Sequence, residues 1–224
     1  MEIGGYFKMK NGVIIFIMFI ILANCGEVPS VLDVKFDKGE KGTPLSNGLI
    51  HNFENTYNPN LLGGWTGYGD GNNDSITNVI TTTAFYNGVK SLKVIIHHSQ
   101  ENKGYIWMAF NLGDTIEIDP EGKPAPQKRD VSNFKYLSFY IMVTQYWTKF
   151  YVGLGDITLS EGESIDVSVT IIKKPQSWQQ IKIPLEEFKG IDLTRVTKVI
   201  IKMDENIETQ ENVTFYLDDI AFSN

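Results

Sequence analysis

The chain has 224 residues, 42% of them hydrophobic and 12% aromatic, with a formal net charge of −7 at pH 7. That length suits one well-packed domain, and an acidic balance without a Lys/Arg cluster argues against nucleic acid as a partner, because phosphate backbones are held by clustered cations. The single cysteine, Cys25, leaves no partner for an intramolecular disulfide, so the fold rests on its core or on a metal.

In chain order, the first feature is the uncharged run from Val13 to Ala23, preceded by Lys8 and Lys10. It holds about half of the ~20 apolar residues that a membrane-spanning helix needs, and so reads as an export signal over residues 1–24. Leu22-Ala23-Asn24-Cys25 resembles the lipobox of bacterial lipoproteins. The resemblance implies that Cys25 is lipidated and becomes the first mature residue, anchoring an exported protein to the cell envelope, at the surface or in the periplasm. Asn24 departs from the small residue usual before that cysteine, and Met9-Lys10-Asn11 offers a second, more compact start. Residues 25–47, rich in Gly, Pro, Lys and Glu, read as a flexible tether.

From residue 48 to residue 224 the pattern is β throughout. Short runs rich in Val, Ile, Tyr, Phe and Thr predict strands over Ser91–His98, Tyr105–Asn111, Tyr136–Val143, Lys149–Gly155, Ile165–Ile172, Trp178–Ile183, Lys198–Met203 and Val213–Phe222. Turn chemistry separates them, as at Asn87-Gly88, Asn102-Lys103-Gly104 and Glu161-Gly162. One helical turn is expected at Leu185–Phe188 after Pro184. Strands at this spacing predict an all-β fold, a two-sheet antiparallel sandwich or jelly roll.

Several segments occur in a recognisable order. They are Ile50-His51-Asn52-Phe53-Glu54, Gly63-Gly64-Trp65-Thr66-Gly67-Tyr68-Gly69-Asp70, Tyr86-Asn87-Gly88-Val89-Lys90-Ser91, Asp130-Val131-Ser132-Asn133-Phe134, Trp178 to Phe188 and Phe215-Tyr216-Leu217-Asp218-Asp219. The series resembles the galactose-binding-like jelly-roll carbohydrate-binding modules of bacterial glucanases and the related complex I intermediate-associated proteins. The resemblance spans residues 50–222. It implies non-catalytic binding of a polysaccharide or oligosaccharide, β-glucan among the candidates. It also implies a structural calcium held by Glu54, Asp218 and the carbonyls near Gly88 and Lys90, a set of hard oxygens that suits calcium. Asp218 interrupts an otherwise apolar strand end, which asks for a compensating group.

Flat aromatic faces suit the C–H side of a pyranose ring, and strand parity separates exposed rings from core. Phe150, Val152 and Leu154 face inward, leaving Tyr151 outward beside glycines; Ile106, Met108 and Phe110 oppose Tyr105 and Trp107; Leu137, Phe139, Ile141 and Val143 oppose Tyr140. Tyr105, Trp107, Tyr140 and Tyr151 are therefore expected to line one concave face, with Tyr146 and Trp147 at its rim and Trp65 and Tyr68 in a bordering loop.

Glu117-Ile118-Asp119-Pro120-Glu121 resembles the paired-carboxylate motif of jelly-roll glucanases. Pro120 and the following Gly122-Lys123-Pro124 break the strand that the motif requires, and a non-enzyme is expected. An alternative reading from another class is a structural or adhesion lipoprotein that uses the sandwich for protein or envelope contacts.

Overall fold

The structure, a computed structural model, describes residues 35–36, 41–55, 59–70, 75–97, 106–113, 116–118, 122, 124–145, 149–159, 164–171, 174–203 and 212–224. The chain divides into Met1–Val31 and Leu32–Asn224, and every described residue lies in the second unit. Cys25 therefore lies outside the described residues, as do Tyr105, Tyr146 and Trp147.

The strands in chain order are β1 (Lys35–Phe36), β2 (Thr43–Pro44), β3 (Leu49–His51), β4 (Thr66–Asp70), β5 (Ser75–Thr81), β6 (Ser91–His97), β7 (Ile106–Asn111) and β8 (Ile116–Ile118). They continue with β9 (Pro124–Pro126), β10 (Arg129–Asp130), β11 (Tyr136–Val143), β12 (Lys149–Asp156), β13 (Ile165–Thr170), β14 (Gln179–Pro184), β15 (Val196–Met203) and β16 (Asn212–Ser223). A 3-10 turn, Leu185–Glu187, follows Pro184, where the missing N–H ends the ladder.

Two sheets dominate. The front sheet runs β13–β12–β15–β7–β4, with β10 and β2 continuing beyond β15. The back sheet runs β14–β11–β16–β6–β5, with β3 against β16. Neighbours in both are antiparallel, except the short parallel pair β2–β10. A third, small sheet joins β1, β8 and β9.

The inward rows are those that strand parity predicts. Phe110, Phe150, Val152 and Leu154 of the front sheet and Leu137, Phe139, Phe215 and Leu217 of the back sheet are fully buried. Phe139 meets Phe150 edge to face across the interface at 6.1 Å between ring centres, a geometry that aromatic quadrupoles favour.

Three expectations change. Residues 41–47 are not wholly tether: Thr43–Pro44 pairs with Arg129–Asp130, and Gly42 N–H donates to the Thr194 carbonyl at 2.7 Å. Strand β4 carries glycine and polar residues that concealed it, whereas β5, with Ile76, Thr77, Val79, Ile80 and Thr81, has strand composition that the sequence reading passed over. Glu117 sits on the middle strand of the small third sheet, opposite Lys35 and Ala125; residues 119–121 lie outside the described residues.

Candidate functional site

The outer face of the front sheet is organised in rows that cross the strands, because directly paired residues point to the same side. One row is Gly69, Trp107, Lys202, Tyr151 and Ser168. The next is Gly67, Ala109, Ile200, Gly153 and Asp166. In the third, Asn111 lies opposite Lys198, and Lys198 opposite Gly155. Trp65 joins this row, because it continues the β4 register and its carbonyl accepts the Asn111 N–H at 3.1 Å.

The middle row holds only one large side chain, Ile200. Ala109 and Ile200 are 7% and 3% exposed, recessed beneath the rows on either side. The result is a trough across five strands, about 19 Å long at the usual strand spacing. Trp107 and Tyr151 form one wall, and Trp65, 63% exposed, stands on the other.

Local packing orients each ring. A methyl group on Gly67 would lie 3.6 Å from Trp107 Cζ3 and 3.8 Å from Cη2, so the indole reaches over the neighbouring strand. The Lys149 ammonium lies 5.2 Å from the centre of the Tyr151 ring, a cation–π contact. Trp65 is placed by the loop before it. Asn60 donates from Nδ2 to the Asn111 carbonyl at 2.7 Å, while its Oδ1 accepts the N–H groups of Leu62 and Gly64 at 2.9 and 3.1 Å. Gly64 runs so close to the Asn111 carbonyl that any Cβ there would collide with it.

Polar groups border the trough. Lys202 Nζ donates to Asp166 Oδ2 at 2.9 Å, and Ser164 Oγ donates to Asp166 Oδ1 at 2.6 Å. An apolar floor with a few fixed polar groups is the usual chemistry of a small-molecule site.

Two expected residues fall elsewhere. Tyr140 belongs to β11 in the back sheet, opposite Gln180 and Asp218, so it shares no face with Trp107 and Tyr151. It stacks on Tyr86 at 3.4 Å between ring centres, and Trp178 meets Tyr86 edge-on at 6.1 Å. The hydrogen bond to Tyr86, together with burial, pushes the Tyr140 phenol up to about 12. Tyr68 pairs with Met108 on the inward side of β4, half-exposed where the sheet ends. Parity names the side of a strand; it is silent on which sheet the strand joins and on whether an edge is covered.

Glu54, Gly88, Lys90 and Asp218 do come together, around the loop 86–90. Glu54 Oε1 accepts the N–H groups of Val89 and Lys90 at 2.9 and 3.0 Å, and Lys90 Nζ donates to the Glu54 carbonyl at 2.7 Å. Gly88 takes a φ of 68°, with Glu54 Oε1 in the space that a Cβ would fill. The fully buried Asp218 accepts Tyr86 N–H at 2.9 Å and Asn87 N–H at 3.2 Å on Oδ2, and Asp219 N–H at 2.9 Å on Oδ1. Burial pushes its carboxyl up to about 6, against the lowering effect of these amides.

These residues do not fit the expected calcium set. Amide donors take Glu54 Oε1 and both Asp218 oxygens, and trans peptide geometry turns the Gly88 and Val89 carbonyls away from Glu54 Oε1. Among the described residues, no three His, Cys, Asp or Glu groups converge to hold a metal. Backbone N–H groups offset part of the cost of burying Asp218.

The family model described as carbohydrate binding domain 30, CBM30, matches residues 50–224. The chain belongs to the CBM30 family. Two solved structures place the CBM30 fold. A family 11 carbohydrate-binding module from Clostridium thermocellum, solved with a beta-1,3-1,4-mixed-linked tetrasaccharide, is 14% identical, with 80% of this chain and 95% of that one covered and a TM-score of 0.55. The family 30 module of the cellulosomal cellulase Cel9D-Cel44B of Clostridium thermocellum is 22% identical, with 80% and 98% covered and a TM-score of 0.53. At these identities the likeness concerns the fold. No curated protein sequence matches the chain. CBM30 is a family of non-catalytic carbohydrate-binding modules, and its sandwich is the one seen here.

Sequence reasoning missed the trough and its polar border. The signal was the glycine alternation Gly67-Tyr68-Gly69 and Gly153-Leu154-Gly155, which strips one face of two strands. Lys202 and Asp166, far apart in sequence, joined the site only through the pairing of β12 with both β13 and β15.

Proposed function

We propose that this CBM30 chain binds a polysaccharide, β-glucan first among candidates, along the trough of the front sheet, and that lipid on Cys25 holds it at the cell envelope. The observation that carries the reading is the gathering of Trp65, Trp107 and Tyr151 around a recessed row of small residues. A sugar ring has apolar C–H faces and a polar rim. Rings stacked on these aromatics place their hydroxyls toward Asn111, Lys202 and Asp166. A trough that crosses five strands suits a stretch of several sugar rings.

Affinity electrophoresis of the full-length chain through gels containing mixed-linked β-glucan, xylan, mannan or pectin tests the proposal. Retardation by one polymer class, reduced in Trp107→Ala and Tyr151→Ala, supports it. Absence of retardation in every gel overturns it.

One observation favours the structural or adhesion reading as a second possibility. Phe85, Tyr86 and Val89 are 41%, 47% and 57% exposed on the loop between β5 and β6, an apolar group outside the trough.

A further inference from the structure

The trough row Gly67, Ala109, Ile200, Gly153 ends on Asp166, in the edge strand β13. The carboxylate does not simply stand at that end. A Cβ added at Gly153 would collide with Asp166 Oδ1 and lie 2.7 Å from Ser164 Oγ, so both side chains arch over Gly153 into the trough. Ser164 holds one carboxylate oxygen at 2.6 Å and Lys202 the other at 2.9 Å. The Asp166 and Lys202 side chains remain 31% and 18% exposed, so the pair is oriented yet accessible. Each carboxylate oxygen has two acceptor positions, and among the described residues each accepts one side-chain hydrogen bond.

We propose that Asp166, positioned by Ser164 and Lys202, is the specificity-determining residue of this site and selects neutral glycans with adjacent free hydroxyls over carboxylated ones. The inference rests on the binding function proposed above. Tyr151 lies two residues before Gly153 on the same face, roughly 7 Å along the strand. A ring stacked there presents its edge to Asp166, whose two oxygens accept neighbouring O–H groups in a charge-assisted, bidentate contact. A carboxylate on the sugar at that position meets a like charge, and Lys202 is already engaged by Asp166.

The test compares polymers that differ in charge: hydroxyethyl-cellulose and carboxymethyl-cellulose, with mixed-linked β-glucan as reference. The full-length chain is expected to bind the neutral polymers at least about tenfold more tightly than the carboxymethyl form. Asp166→Asn keeps the shape and removes the charge. It is expected to lose about tenfold toward the neutral polymers and to lose the discrimination, with an unchanged melting temperature. Gly153→Ala, which displaces the carboxylate without altering it, is expected to give the same loss. If Trp107→Ala abolishes binding while Asp166→Asn still binds neutral polymers as the wild type does and rejects carboxymethyl-cellulose, the assignment of Asp166 fails and the binding function stands. If the wild type binds none of the polymers, the function fails and the assignment with it.

Discussion

Trp107 reaches across to Gly67, where a Cβ would sit in ordinary van der Waals contact with the edge of the indole. Removing the ring deletes a wall of the trough and leaves the inward face of β7 untouched. Trp107→Ala is expected to weaken glycan binding by at least tenfold, about 1.4 kcal/mol, as read by calorimetric titration. The same variant should change unfolding free energy by less than about 1 kcal/mol. Asp218 offers a second residue-level prediction. Its carboxyl titrates near 6 when folded, above the value of about 3.9 in an unfolded chain. The folded state therefore holds the proton more tightly, and this residue's contribution is full below about pH 4 and declines as pH rises toward about 6. Asp218→Asn removes that slope. It also leaves amide donors of the 86–90 loop without their charged acceptor, at a cost of about 1–3 kcal/mol near neutral pH. Thermal unfolding of both proteins across this range reads the two effects.

At the scale of elements, paired strands bring most of the candidate site together and one loop adds Trp65. The segment 60–64 is closed by the Asn60 side chain and by the tight approach of Gly64 to Asn111, and it delivers Trp65 to the third row. Gly64→Ala forces the backbone off Asn111. An expected stability loss of about 1–3 kcal/mol is accompanied by weaker glycan binding, because Trp65 moves with the loop. The loop 86–90 is organised by a different device, backbone amides that donate to Glu54 Oε1 and to Asp218 Oδ2. A calcium ion there would require carbonyls where N–H groups now stand. The melting temperature is accordingly expected to be the same in excess calcium and in chelator; a calcium-dependent rise would mean that the loop exchanges its donors.

For the whole molecule, the contact between the sheets carries stability and the outer face carries the proposed binding site. Phe139 and Phe150 meet between the two layers, fully buried. Phe139→Ala is expected to cost about 3–5 kcal/mol, measured by denaturant unfolding, while any protein that remains folded keeps its glycan affinity. This separation suits a binding module: the trough is rebuilt by substitutions on outward positions that the core does not feel. The acyl chain proposed on Cys25 belongs to the same scale. Cys25→Ser is expected to lose labelling by radioactive palmitate and to shift from the membrane to the soluble fraction.

Much of this was legible in the chain. Runs such as Leu137, Phe139, Ile141 and Val143 alternate with a period of two, and that period alone assigns a strand and its buried side, because successive side chains must point in opposite directions. The turn at Leu185 followed from Pro184, which has no N–H to continue the ladder. The order of motifs named the fold, and the family match agrees. Which sheet each strand joins was decided only in three dimensions. Tyr140 and Tyr151 have the same local pattern, yet β11 pairs with β14 and β16 while β12 pairs with β13 and β15, so the two rings lie on different sheets. The meeting of Trp107, Lys202, Tyr151 and Asp166 was likewise decided by pairing between segments distant in the chain. Local sequence sets the direction of a side chain relative to its own backbone; its neighbours across a sheet are set by strand pairing, which depends on how the core closes.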